Sequence, residues 1–183
     1  MKKLILTAAI TLTAFAGAFA QTNPGPKTAT ANLIVTINPI QTIEIPNPTV
    51  NLNYLTKNDY DKGVTNTKEN HLKIYSTGAF QVKVTASDLK EDETGRTIEA
   101  SGITVKADLG SAEPLDHMAG NDKAVNLSGT AKTIFTSNTG GVNRNVNITY
   151  HGAGGNDYLN KYFDNTGKKN VYSTEVIYSI EAM

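Results

Sequence analysis

The sequence predicts an all-β fold, an antiparallel β-sandwich carried behind an export signal. Three observations lead there. Short segments alternate apolar and polar residues with a period of two, as in Leu72 and Ile74 or Phe80, Val82 and Val84. Glycine, proline, asparagine and aspartate separate these segments. No segment after residue 20 carries a helical 3.6-residue stripe. Eight to ten short strands with polar turns favour a sandwich over an up-and-down barrel.

The elements follow in order. Met1, Lys2 and Lys3 form a positive head, and residues 4–15 are uncharged and mostly apolar. Ala18 and Ala20 then place small residues around a cleavage point before Gln21. This is the three-part pattern of a secretory signal. A membrane span would need about 20 strongly apolar residues, and threonines dilute this run. The expectation is a signal over residues 1–20, a flexible leader over 21–28 with two prolines and a glycine, and one β-sandwich domain over 29–183. No span is expected after cleavage.

Ala29, Ala31, Leu33, Val35 and Ile37 share one parity, against Thr30, Asn32 and Thr36. That alternation reads as an opening strand. Such a strand either completes its own sheet, the plainer reading, or adds to a neighbour's sheet edge. Ile40, Ile43 and Ile45 suggest a second strand, ended by Pro46 and Pro48; Val50 and Leu52 follow with a shorter alternation. Residues 56–70 read as a polar loop. Residues 71–75 and 80–86, joined through Ser76, Thr77 and Gly78, read as a hairpin. His71 shares the parity of Lys73, so it should face solvent. Residues 88–95 form a charged connection. Further strands are expected at Ile98, at 103–107, 125–127, 133–135 and 146–150, and at the close over 172–180.

Composition narrows the function. Without residues 1–20 the chain holds 15 basic and 17 acidic residues, a net charge of −2. That gives no electrostatic footing for nucleic acid or for anionic membrane surfaces. There is no cysteine, so neither a disulfide nor a lipid-modified cysteine is available. His71, His117 and His151 form no short metal-ligand spacing. No G-x-S-x-G elbow occurs. Residues 58–63 echo the start of a calcium loop, but in neither register do oxygen donors, the glycine and the closing glutamate coincide. Glu91, Asp92 and Glu93 read as a solvated face. No catalytic residue, metal or cofactor is expected.

Three stretches together are similar to a known family: the opening strand at 29–37, the segment HLKIYSTGAFQVKVTAS at 71–87 and the closing strand VYSTEVIYSIEA at 171–182. They resemble secreted pilin-like β-sandwich proteins of bacteria, of the spore-coat-U and fimbrial-subunit type. The resemblance implies an immunoglobulin-like fold closed by the terminal strand. It also implies a non-enzymatic role in assembly, adhesion or surface structure through other protein subunits. The chain departs from that family in lacking the disulfide its members often carry. The expected location is exported: periplasm, cell surface or medium. The alternative is a glycan-binding sandwich that stacks sugars on exposed tyrosines.

Overall fold

A computed structural model describes residues 25, 27–162 and 169–183. The expected signal, with Ala18, Ala20 and Gln21, lies outside the described residues, as does most of the leader. The chain divides into two units, Met1–Thr36 and Ile37–Met183. The second holds every strand described here. In order these are β1 (Gln41–Glu44), helix α1 (Lys57–Lys62), β2 (Val64–Ser76), β3 (Phe80–Ala86), β4 (Leu89–Glu91), β5 (Thr97–Ile98), β6 (Ile103–Leu109), β7 (Val125–Asn126), β8 (Lys132–Ser137), β9 (Gly141–Gly152), β10 (Tyr172–Ser173) and β11 (Val176–Ala182). No helix among the described residues is long and apolar enough to cross a membrane.

All ladders between these strands are antiparallel. One sheet runs β1-β2-β9-β6-β7, a second β11-β3-β8 and a small third β10-β4-β5. The alternation of the sequence decides which face each strand buries. Phe80, Val82, Val84 and Ala86 point inward from β3, and Val105 and Ala107 from β6. Val146, Ile148 and Tyr150 do the same from β9. Together with Leu72, Ile74, Ile134 and Phe135 they form one core between the sheets. Phe80 and Phe135 meet edge to face at 6.2 Å, an arrangement aromatic quadrupoles favour. Each such fully buried side chain contributes roughly 1.5–3 kcal/mol. The protein is thus an all-β sandwich, as its periodicity predicts.

Three local expectations are corrected. Residues 71–86 do not form a hairpin, because β2 and β3 lie in different sheets. Both strands carry an apolar face, and the arch through Thr77 sets those faces against each other across the core. Thr77 is held by its backbone N–H, which donates to Ile40 O at 3.0 Å.

The polar stretch 56–70 is not a loop. Thr56 and Asp59 build a reciprocal capping box that starts α1, and β2 then begins at Val64. The solvent-facing length of β2 explains its polarity. Finally, the opening strand 29–37 is not part of the sandwich sheets: no strand is assigned there, and residues 27–39 are exposed throughout. Leu33 is 86% exposed, Val35 75% and Ile37 81%.

Candidate functional site

After β1 the chain turns through Pro46 and Pro48, which have no N–H to continue a ladder. Residues 49–55 then run without joining any strand. They keep a strand's alternation: Val50, Leu52 and Tyr54 are half-buried, while Asn51, Asn53 and Leu55 are exposed. Asn51 is tied to β2 through its carbonyl, which accepts from Asn66 Nδ2 at 2.9 Å. Tyr54 donates to Ala153 O at 2.8 Å and packs against Tyr158, with ring centres 4.9 Å apart. Burial and the neighbouring Tyr158 hold the Tyr54 phenol well above its usual pKa. Gly152 makes room for this anchor, since an added Cβ would collide with the Tyr54 hydroxyl.

Across from this run lies the closing segment. Tyr172, Thr174, Val176, Tyr178 and Ile180 face inward, and Ser173, Glu175, Ile177 and Glu181 are exposed. That is the parity the sequence predicts, save that Ser179, expected outside, is half-buried. β11 pairs with β3 along one edge. Among the described residues no strand pairs with its other edge. Between the start of that edge, Val176–Tyr178, with the residues just before it, and residues 45–55 lies a cleft of about 1030 Å³. Val50, Leu52, Ile103, Leu127 and Val176 give it apolar walls.

One polar row interrupts those walls. His71 is only 3% exposed, contrary to its parity. The cause is a bulge in β2: Lys68 pairs with Ile148 and Leu72 with Val146, so residues 69–71 oppose Asn147 alone. Asn70 takes a left-handed φ of 49°, which asparagine tolerates better than most residues. Its N–H donates to Asn147 Oδ1 at 2.7 Å, and its own Oδ1 accepts from Ala112 N at 3.0 Å. His71 and Leu72 therefore both point inward.

His71 Nε2 lies 3.0 Å from Tyr150 Oη, which lies 2.6 Å from Tyr178 Oη. Nδ1 of His71 is buried without a hydrogen-bond partner. Burial, and then Lys68, hold the His71 pKa below the usual histidine range. Burial pushes Tyr150 up to about 12. It raises Tyr178 further, with Tyr150 adding to the effect. All three side chains line the cleft.

The other candidates disperse. His117 is exposed in a loop, and His151 Nδ1 meets Thr65 Oγ1 at 2.9 Å. No group of three His, Asp or Glu among the described residues is placed to hold a metal. Residues 58–62 are helical, and Asp59 accepts from the N–H groups of Leu55 and Thr56 at 2.8 and 2.7 Å rather than facing an ion. Glu91 is buried, not solvated, and its carboxylate accepts from the Thr94 N–H at 2.7 Å and from the Thr94 hydroxyl. Of the eight tyrosines only Tyr162 is exposed, so the aromatic residues serve the core and the cleft wall more than an outer stacking face. Ala29, Ala31, Leu33, Val35 and Ile37 are all exposed. No family model matches the chain, and a search of curated proteins finds no match.

Proposed function

We propose that this protein is an exported assembly subunit that joins its neighbours by strand addition. Residues 28–38 of one copy fill the cleft beside β11 of another. One observation carries the reading: an apolar alternating segment stands exposed, while the sandwich leaves an apolar cleft along an unpaired sheet edge. Exposed edges of this kind are open to pairing with another chain. Backbone bonding to the edge would supply affinity, and alternate side chains would fill the cleft. At about 3.3 Å per residue, residues 29–37 extend roughly 30 Å, more than the roughly 10 Å of β11 edge, Val176–Tyr178, that borders the cleft. Ala29, Ala31, Leu33, Val35 and Ile37 would face inward as one set. The role is structural or adhesive and needs no catalytic group.

Deleting residues 28–38 tests this. The shortened chain is expected to form no polymers, and a synthetic peptide of residues 28–38 is expected to bind it and raise its Tm. Polymers that persist after the deletion would remove the basis of the proposal.

A further inference from the structure

Resting on that assembly reading, we propose that His71 makes occupancy of the cleft depend on pH, so that acidification releases the docked strand. The bulge at Asn70 is what turns this imidazole inward, and bulges commonly re-aim a side chain beside a functional site. His71 lines the cleft together with Tyr150 and Tyr178. Their rings stand edge-on to it, with centres 5.7 and 6.4 Å away. The groups acting on it are Lys68 from β2, Tyr150 from β9 and Tyr178 from β11. None of these can balance a positive charge near neutral pH, because burial raises both phenols and Lys68 is itself cationic.

The direction of the hydrogen-bond row follows the tautomer. With neutral His71 in its Nδ1–H tautomer, Tyr150 donates to Nε2; in its Nε2–H tautomer the ring already donates to Tyr150. In the imidazolium both ring nitrogens carry hydrogen. Nε2 then donates to Tyr150, and the second ring N–H, at the buried Nδ1, finds no acceptor among the described residues. Protonation thus leaves a charged ring with a buried N–H lacking an acceptor, and neither phenol in contact with it neutralises that charge near neutral pH; Glu175, the carboxylate that lines the cleft, is exposed on the opposite parity of the closing segment. A strand laid over the cleft replaces water there with apolar side chains, which makes that charge costlier in the docked state than in the empty one. The docked pKa therefore lies below the empty one. Docking is at full strength above the empty-state pKa and weakens as the pH falls through it, about tenfold for each unit separating the two values. Since burial and Lys68 already depress His71, the loss falls below about pH 6.5.

The test measures assembly of the purified protein by sedimentation between pH 8 and pH 5, for the native chain and for His71→Gln. The native chain is expected to lose about tenfold or more in affinity over that range, and H71Q less than about twofold. An equal loss in both would overturn the proposal. If H71Q does not fold, the His71 ring resonance of the native chain is titrated with and without excess peptide of residues 28–38. A lower pKa with peptide supports the inference, and an equal or higher one overturns it. A native chain that neither polymerises nor takes up peptide at any pH sinks the assembly reading itself, and this inference with it.

Discussion

Tyr150 sits where two demands meet. It closes the core from β9, and its hydroxyl bridges His71 and Tyr178. Burial raises it to about 12 and also raises Tyr54, Tyr158, Tyr172 and Tyr178. His71 moves the other way, held down by burial and then by Lys68. The signs fix a pH window for stability. A depressed His71 means that the unfolded chain binds its proton more readily, so stability is lost as pH falls below about 6.5. Raised tyrosines mean that the unfolded chain ionises first, so stability is lost as pH rises above about 10. Thermal unfolding across pH 4–12 should show a plateau between those limits. A native Tm unchanged from pH 7 to pH 5 would contradict the assignment of His71 as a buried neutral group. None of this was legible from parity alone. The alternation of β2 points His71 outward, and only the bulge reverses it.

At the scale of elements, the bulge is the device that matters most. Asn70 joins β2 to Asn147 on β9 and to the loop at Ala112, while Asn147 Nδ2 donates to Ser111 Oγ at 3.1 Å. Asn70→Ala removes one acceptor from that set and places a less tolerant residue at positive φ. The expected cost is about 1–2 kcal/mol in urea unfolding, together with faster amide exchange at Ala112. A change within a few tenths of a kcal/mol would show that the bulge does not depend on this side chain. The strands themselves were mostly readable, because apolar alternation marks the inward face of β3, β6, β9 and β11. The connections were less so. Alternation tells which face is buried but not which sheet a strand joins, so the arch between β2 and β3 looked like a hairpin. The helix α1 was hidden because its signal is a cap, Thr56 with Asp59, on a segment too short to show a stripe.

For the molecule as a whole, the sequence marks one half of the proposed contact, the alternating segment 29–37, and gives no sign of the cleft beside β11. Residues 29–37 have the pattern of a buried strand, and pattern alone assigns such a segment to its own domain. The proposal that they pair with another copy rests on their exposure and on the unpaired edge of β11 beside an apolar cleft. Solvating that much apolar surface on both sides is unfavourable, and pairing the two would remove it. The absence of cysteine makes the direct measurement clean. Val35→Cys and Val176→Cys, placed together in one chain and oxidised, should yield a ladder of disulfide-linked dimers, trimers and longer species. Neither single variant should give more than dimers. Linkage confined to monomers at every concentration, or no linkage at all, would contradict strand exchange between copies.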